Sequence, residues 1–306
     1  EDGEADLEIL LEESFTQRPA FRPEPEPERV REAAQVLANA QRPVIVAGGG
    51  VTSSGAQQEL VELAELLNIP VATSLNAKGA IPDNHPLAVG VVGSYSRWCA
   101  NRVVHEADLV LYIGSHTGSQ VTNEWRVPAI GTPVIQIDID PEELGRNYEN
   151  TMGIQGDARD SLEGLYNALS AAAPARPENR EGINRLKETR AESAIRVEPQ
   201  DSLIASVRAA MPEDGILISG MTQLGYYSRA YFPVYEPRSF LTSSYFGNLG
   251  YAYPTALGAK VAQPDKAVVA LSGDGGFLFN SQELATAVQH GINAVVVVFN
   301  DNAYGN

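Results

Sequence analysis

The sequence has few of the features that build disulfide frameworks, membrane spans or nucleic-acid surfaces. Cys99 is its only cysteine, so the chain can form neither an internal disulfide nor a thiolate metal site. It has no run of about 18 uninterrupted apolar residues, so no transmembrane helix is expected, and its acidic N-terminus does not resemble a signal peptide. The formal net charge of −17 argues against a basic face for nucleic acid. These absences predict a cytoplasmic protein that binds neither nucleic acid nor membranes.

Segments with strand-like and helix-like patterns alternate along most of the 306 residues. Apolar runs predict strands at residues 43–47, 69–73, 107–113, 133–139, 215–219, 267–271 and 294–300. Amphipathic periodicity predicts helices at residues 28–40, 56–67, 202–211, 251–262 and 281–290. Because this alternation builds parallel sheets covered by helices, we predict an α/β fold with two three-layer αβα domains and mainly parallel sheets.

Shifts in composition divide the chain into four parts. We expect a proline-rich linker over residues 1–27, a Rossmann-like central domain over 28–170, a second linker over 171–200 and a second α/β domain over 201–306. The sequence begins in a linker and stops soon after a strand-like run. We therefore expect a further domain upstream and a second domain that is truncated at its C-terminal end.

A glycine turn after a strand-like run is the first motif that can carry chemistry. It reads Gly273-Asp274-Gly275-Gly276. In open α/β sheets ligands bind at the carboxyl ends of strands, and glycine-rich turns let backbone amides approach anionic oxygens. Asp274 adds a hard oxygen ligand for a divalent cation. On this motif alone, a tight turn in which Asp274 caps the next helix is an equally good interpretation.

A second oxygen-rich turn, Asn300-Asp301-Asn302, follows one helix and one strand later. Parallel strands joined by a right-handed crossover place their carboxyl ends on the same edge of a sheet, so both turns can face one ion. Mg²⁺ binds a few protein oxygens together with phosphate oxygens and water. A polar surface loop is the alternative for the second turn.

Together the two turns resemble the signature of thiamine-diphosphate enzymes, in which Gly-Asp-Gly is followed by an Asn-Asn or Asn-Asp turn. Residues 247–259 resemble the glycine- and proline-containing stretch that precedes this signature in the acetolactate synthase and benzoylformate decarboxylase group. Residues 28–165 resemble the central domain of the same group. The resemblance covers nearly the whole chain and implies two cofactors, thiamine diphosphate and Mg²⁺.

The resemblance also implies roles for individual residues. Asp274, Asp301 and the backbone carbonyl of Ala303 would bind Mg²⁺, and Leu249 would hold the cofactor in its bent shape unless it is an ordinary core residue. Gly247 would accept a hydrogen bond from the aminopyrimidine ring through its carbonyl. The other implied cofactor-binding positions are Gln223 near the diphosphate, Gly273, Gly275 and Gly276 around it, and Tyr304 and Gly305 in the second turn.

The glutamate that activates the cofactor in this group has no match in the chain. In the group it belongs to an N-terminal domain, so roughly 150–180 residues are expected upstream. Glu283, after the Gly-Asp-Gly turn, is interpreted as structural. No catalytic residue is therefore assigned, and the isolated chain is expected to be inactive.

The resemblance also raises FAD as a cofactor, because acetolactate synthases hold FAD in their central domain. Three features of this chain do not favour FAD. Those enzymes have an arginine in the turn where this chain has His116. Gly48-Gly49-Gly50 does not continue as a G-x-G-x-x-G loop. Asp138 and Asp140 could bind a ribose, although capping of a helix beside Pro141 is favoured. A structural spacer without a ligand is the alternative.

The resemblance thus implies a thiamine-diphosphate- and Mg²⁺-dependent carboligase or lyase that acts on a 2-keto acid, as acetolactate synthases do. A non-oxidative 2-keto acid decarboxylase is the alternative within the group. A non-catalytic nucleotide-binding or regulatory module is an alternative of another class. Active sites of the group form between subunits, so a homodimer or homotetramer is expected of the intact enzyme.

Overall fold

The structure is a computed structural model that describes residues 10–16, 21–149, 151–171, 176, 180–243 and 246–300. The strands in these residues form two sheets, one of six strands and one of four, and every strand pairing is parallel. The predicted α/β fold with mainly parallel sheets is therefore confirmed. The boundaries of the linkers and domains stay predictions.

The six-stranded sheet consists of β1 (Pro43–Ala47), β2 (Val71–Thr73), β3 (Ala88–Val91), β4 (Leu109–Ile113), β5 (Val134–Asp138) and β6 (Thr151–Gln155). The strands pair in the order β3-β2-β1-β4-β5-β6. Every residue of β1 and β4 is buried, as expected for central strands of a parallel sheet. The order reverses between β1 and β4, and such a reversal opens a crevice at the carboxyl ends of the strands.

Helices cover both faces of this sheet. They are α2 (Pro27–Asn39), α3 (Gly49–Ser54), α4 (Gln57–Leu67), α5 (Trp98–His105) and α6 (Ala158–Ser170), with a 3₁₀ turn η1 (Leu75–Ala77). A short α1 (Glu13–Thr16) lies in the first predicted linker, residues 1–27. The apolar stripe predicted for α2 is buried, and the helix begins at a proline, a residue suited to the first helical position.

The second predicted linker contains α7 (Arg180–Lys187) and α8 (Arg190–Ala194) and makes specific contacts with the first sheet's helices. The guanidinium of Arg176 donates hydrogen bonds to the carbonyls of Leu37 (2.6 Å) and Ala40 (3.0 Å) at the end of α2 and of Leu67 (3.3 Å) at the end of α4. Such carbonyls lack partners within their own helices. One linker side chain therefore satisfies the ends of two helices.

The four-stranded sheet consists of β7 (Ile216–Ser219), β8 (Phe240–Thr242), β9 (Val268–Gly273) and β10 (Val295–Phe299), in the order β10-β9-β7-β8. Its helices are α9 (Gln200–Ala210), α10 (Gln223–Tyr231), α11 (Ala252–Ala262), α12 (Asp274–Leu278) and α13 (Glu283–His290). Two buried clusters pack on its opposite faces. The strand order reverses between β7 and β9, so this sheet also has a switch point.

Specific hydrogen bonds join the two sheets. Asp83 donates its backbone N–H to the carbonyl of Val234 (2.8 Å), and its carboxylate accepts the N–H of Val234 (2.9 Å). The same carboxylate lies 3.3 Å from the ammonium of the buried Lys78. Farther along, Arg238 donates to the carbonyl of Thr52 (2.9 Å). These contacts tie the first sheet's region to the loop between α10 and β8.

One favoured prediction in this part of the chain is wrong. No helix follows Asp140, because residues 141–145 form turns that end at Gly145, whose φ is +72°. The carboxylate of Asp140 accepts the N–H of Glu142 (2.9 Å), and that of Asp138 accepts the N–H of Asp140 (3.0 Å). Both aspartates therefore stabilise a turn rather than a helix end. None of the described helices combines the length and apolar character needed to cross a membrane.

Candidate cofactor site

A cavity of ≈ 420 Å³ opens where the carboxyl ends of β7 and β9 diverge. It is lined by Pro199, Gln200, Leu203, Met221, Thr222, Gln223, Leu224, Tyr226, Gly247, Leu249, Gly273, Asp274, Gly275, Gly276, Phe299 and Asn300. Every predicted cofactor-binding position within the described residues thus lines one cavity. The other predicted positions, Asp301, Ala303, Tyr304 and Gly305, lie outside the described residues.

The glycine turn after β9 forms the floor of this cavity. Gly273 is extended and precedes α12, whose first amides have no partner within the helix. A Cβ atom on Gly276 would lie 3.3 Å from the hydroxyl oxygen of Ser272 and 3.9 Å from Leu249, so a side chain here would fill the cradle. The residues present therefore fit a diphosphate that approaches the backbone closely.

Among the described residues, the Asp274 carboxylate has no hydrogen-bond or ion-pair partner. Asp274 is the first residue of α12, and no side chain caps that helix, which argues against the capping interpretation. Gly273 pairs with Phe299 across β9 and β10, so Asp274 and Asn300 follow adjacent strand ends. This neighbourhood is the one that the crossover argument predicted. The described residues hold no group of three or more His, Cys, Asp or Glu side chains suited to a metal, and Asp274 is the only predicted metal ligand among them.

The upper part of the cavity is shaped by residues before α10 and α11. Gly247 has φ +60°, and its Cβ position lies 3.0 Å from the methyl carbon of Met221, so glycine suits both its conformation and its packing. Leu249 is 43% exposed and projects its bulk into the cavity, so ordinary core packing does not explain it. Gln223 opens α10 and accepts a hydrogen bond from Gln200 (3.3 Å).

Sequence reasoning assigned no role to several other residues that line this cavity, among them Met221, Tyr226 and Gln200. Met221 and Tyr226 flank Gln223, and their proximity to the site could have been inferred once Gln223 was assigned. Gln200 comes from the end of the predicted linker, and no local pattern indicates that it reaches the site. Its position depends on how α9 packs against α10.

A cavity of ≈ 450 Å³ lies at the other switch point, between β1 and β4. The glycine turn beside it is occupied by backbone contacts, since Gly48 donates its N–H to Ile113 (2.8 Å) and Gly50 donates to Gly114 (3.0 Å). A Cβ atom on Gly48 would lie 2.0 Å from the Gly114 carbonyl oxygen. The glycines therefore allow two turns to meet backbone to backbone.

The lining of this central cavity does not fit a dinucleotide such as FAD. His116 lines it, and its described lining contains no lysine or arginine to balance a diphosphate. An adjoining cavity of ≈ 200 Å³ is lined by the carboxylates of the buried Asp138 and Asp157. Asp157 already accepts hydrogen bonds from Arg22 (2.7 Å) and Ser54 (2.6 Å). Burial raises the pKa of Asp138. Burial also raises the pKa of the Cys99 thiol to about 11, so this thiol is no nucleophile near neutral pH.

Comparison with protein families matches both halves of the chain in order. Residues 30–165 match "Thiamine pyrophosphate enzyme, central domain", and residues 220–306 match "Thiamine pyrophosphate enzyme, C-terminal TPP binding domain". The chain belongs to the thiamine pyrophosphate enzymes. All predicted cofactor-binding positions fall within the second matched region. The resemblance stated from the sequence is therefore confirmed, whereas the roles of single residues stay predictions.

Several thiamine pyrophosphate enzymes are similar over nearly the whole chain. A probable acetolactate synthase large subunit from Methanocaldococcus jannaschii is 36% identical over 100% of this chain and 54% of its own length. The acetolactate synthase isozyme 3 large subunit of Escherichia coli is 32% identical over 90% and 50%, respectively. A probable 2-ketoarginine decarboxylase from Pseudomonas aeruginosa is 37% identical over 91% and 49%. The chain spans about half the length of the curated relatives that it matches.

Proposed function

We propose that this chain carries the diphosphate- and Mg²⁺-binding part of a thiamine-diphosphate-dependent carboligase or lyase that acts on a 2-keto acid, in the manner of acetolactate synthases. The observation that supports this most is the cavity between β7 and β9. It unites the glycine turn, the Asp274 carboxylate, which has no partner among the described residues, and the exposed Leu249. The family matches and the acetolactate synthase relatives support the reaction class.

In this proposal the chain's residues bind and orient, and thiamine diphosphate, when bound, supplies the electron sink for chemistry at the keto carbon. The backbone amides of Gly275 and Gly276 would hold the diphosphate. Asp274, with Asp301 and the Ala303 carbonyl of the following turn, would hold Mg²⁺, which prefers oxygen ligands of this kind.

The other cavity residues would position the organic part of the cofactor. The carbonyl of Gly247 would accept a hydrogen bond from the aminopyrimidine, and Gln223 would contact the diphosphate end. Leu249 would press on the cofactor from below and keep water from its reactive face. The proton that activates the cofactor would be held by a glutamate outside this chain, so we propose that the chain alone is inactive.

A 2-keto acid decarboxylase is the second candidate within the same class. It is favoured by the 37% identity to the probable 2-ketoarginine decarboxylase. A non-catalytic nucleotide-binding module is less well supported, because the central cavity lacks a cationic partner for phosphate in its described lining. We also propose a cytoplasmic homodimer or homotetramer, from the family resemblance and the single, buried cysteine.

Calorimetric titration of the purified chain tests the cofactor proposal. Thiamine diphosphate is expected to bind in the presence of MgCl₂, and its affinity should fall at least tenfold when EDTA replaces MgCl₂. The affinity of the Asp274→Asn variant for thiamine diphosphate should also fall at least tenfold, about 1.4 kcal/mol, because a metal ligand is weakened. Asp214→Asn is the matched control, since Asp214 is exposed on the loop before the amino end of β7.

Either of two results would contradict the proposal. Thiamine diphosphate binding that does not depend on MgCl₂ would show that the site does not use a metal ion. Binding of ADP or FAD without any binding of thiamine diphosphate would instead favour the nucleotide-binding module. Detectable decarboxylation of pyruvate or benzoylformate by the chain alone would refute its predicted inactivity.

A further inference from the structure

One glutamate of the second linker is buried as deeply as a core residue. Glu192, in α8, is only 1% exposed, whereas residues 193–199 are exposed. Its carboxylate accepts a hydrogen bond from Nε of Arg97 (2.5 Å) and another from the backbone N–H of Cys99 (3.0 Å). Because a buried carboxylate is costly unless it is paired, this contact fixes the linker at the start of α5.

The first sheet provides a place for the arginine of this pair. Gly90 of β3 has φ +89°, and a Cβ atom there would lie 2.8 Å from Cδ of Arg97. The glycine therefore leaves room for the aliphatic stem of Arg97 beside the strand. Since Glu192 holds the guanidinium, both the stem and the charged end of the arginine have defined positions.

The guanidinium of Arg97 contacts the second sheet's region through one aromatic ring. Its central carbon lies 5.6 Å from the ring centroid of Tyr231, the last residue of α10. The guanidinium carbon of Arg196, near the end of the linker, lies 5.2 Å from the same centroid, and Arg196 pairs with Asp201 at 2.9 Å. Guanidinium groups attract aromatic rings, and the attraction grows when water is excluded. The linker, the first sheet's region and α10 therefore meet at Tyr231.

The helix α10 connects this meeting point to the candidate cofactor cavity. It has nine residues and is roughly 13 Å long, and its backbone hydrogen bonds make its two ends move together. Tyr231 ends the helix, whereas Gln223 begins it and lines the cavity together with Leu224 and Tyr226. The linker contacts both ends, because Gln200 donates a hydrogen bond to Gln223 (3.3 Å). A weaker hold on Tyr231 therefore changes where three lining residues lie.

We propose that Glu192 is a positioning residue for the candidate cofactor site. It does not line the cavity itself and acts through Arg97, which holds Tyr231 and with it α10. The proposal rests on the proposed function, because α10 supplies part of the wall that is assigned to thiamine diphosphate. A purely structural ion pair is the alternative, and it would stabilise the fold without altering the affinity of the folded protein for the cofactor.

Calorimetric titration of the Glu192→Gln variant with thiamine diphosphate and MgCl₂ tests this role. The amide keeps an oxygen for the Cys99 N–H but lacks the charge that holds Arg97. The affinity should fall about fivefold, which is within the range for mutations that act through a chain of contacts. Glu143→Gln is the matched control, because Glu143 is also buried and pairs with Arg146 at 2.7 Å on the turn after β5. Its affinity should equal that of the parent protein.

A double variant tests the path through the aromatic ring. Tyr231→Leu alone should also weaken thiamine diphosphate binding about fivefold. If Glu192 acts through Tyr231, the variant with both substitutions should lose about fivefold as well, whereas independent effects would multiply to about 25-fold. Arg97→Lys keeps a positive charge for Glu192 without the planar guanidinium over Tyr231, and its affinity should fall about fivefold too. This variant decides the question if Glu192→Gln does not fold.

Hydrogen exchange gives a second measurement that needs no cofactor. The amides of α10 should exchange faster in Glu192→Gln than in the parent protein and at the parent rate in Glu143→Gln. Circular dichroism establishes which variants are folded, and affinities are compared among these. A purely structural ion pair would lower the urea midpoint of Glu192→Gln and leave its affinity for thiamine diphosphate unchanged.

The two proposals fail on different observations. If the parent protein binds thiamine diphosphate and the folded Glu192→Gln variant binds it equally tightly, the positioning role alone is refuted. Unchanged exchange of the α10 amides in this variant would refute it as well, and a loss of about 25-fold in the double variant would refute the path through Tyr231. Absence of thiamine diphosphate binding by the parent protein would refute the proposed function and, with it, the role of Glu192 at the cofactor site.

Discussion

The two switch-point cavities have the same topological origin and different chemistry. Each opens where the strand order of a parallel sheet reverses, and each has a glycine turn at the end of a strand. At the central cavity the amides of Gly48 and Gly50 are bound to the neighbouring turn. At the second cavity the turn at Gly273 leads into a helix whose first amides have no helical partner.

The comparison shows that topology determines where a ligand can bind, whereas the turn determines which ligand. Where two turns meet through glycines at the central cavity, the amides of Gly48 and Gly50 already donate to backbone carbonyls and do not face a phosphate. A glycine turn that faces open space beside an uncommitted carboxylate suits a metal-bound diphosphate. Gly-rich sequence after a strand is therefore ambiguous until the neighbouring turn is known.

Gly48→Ala gives the largest expected effect and tests the structural role of the central turn. The new Cβ would lie 2.0 Å from the Gly114 oxygen, so two backbones would have to move apart. We expect a loss of about 3 kcal/mol in the free energy of unfolding, the upper end for overpacking. Urea unfolding measures it. Gly118→Ala, which lines the same cavity and meets nothing within 4 Å, is the control and should change little.

Gly276→Ala should have the opposite profile, with stability kept and cofactor affinity lost. Its Cβ would come closest to the Ser272 hydroxyl (3.3 Å), which can rotate, and its other contacts at 3.9 Å are ordinary van der Waals distances. Alanine also favours the helix. Affinity for thiamine diphosphate should fall about tenfold, or 1.4 kcal/mol. Gly258→Ala, a glycine in α11 with open space around it, is the matched control. If Gly276→Ala instead lowers the free energy of unfolding and leaves the affinity for thiamine diphosphate unchanged, the two glycine turns have the same structural role.

Asp138→Asn gives the smallest expected effect and compares the carboxylates near the two cavities. Burial raises the pKa of Asp138, so the stability that its protonated form provides is complete below the unfolded pKa of about 3.9 and is lost as pH rises through the folded pKa. Asparagine stays uncharged and keeps the acceptor for Asp140. The variant should be more stable than the parent protein at pH 7, and the difference should shrink as pH falls.

Urea unfolding from pH 7 down to pH values below the unfolded pKa of about 3.9 measures this difference. Asp140→Asn is its control, because Asp140 is exposed and accepts only the N–H of Glu142. A difference in stability that stays constant across this pH range would show that the charge of Asp138 is not its cause.

Much of the fold could be predicted because its central strands carry strong signals. β1 was predicted at its observed bounds, since five buried residues that begin with Pro43 are followed directly by a glycine turn. β6 was missed because its residues are only partly buried and show no clear period. β8 and β3 were also missed, because β8 has only three residues and β3 contains a glycine. Short and edge strands depend on tertiary pairing more than on local pattern.

The candidate site could be predicted where residues belong to a recognisable turn. Gly273, Asp274 and Leu249 were assigned through motifs that resemble a family, and the structure brings them to one cavity. Gln200 and Tyr226 could not be assigned, because their place depends on the packing of a linker against α10. The turn at Asp140 was misread since Gly145 ends the segment before a helix can form.

The guanidinium of Arg176 makes the second linker part of the folded core region rather than a passive tether. The same guanidinium donates hydrogen bonds to carbonyls in the last turns of both α2 and α4. If one helix end frays, the guanidinium is released and the other helix end loses its donor. Helices that share a cap in this way open as one cooperative unit. The protection of their terminal amides against hydrogen exchange should therefore rise and fall together, although the helices are separated by a strand of the sheet.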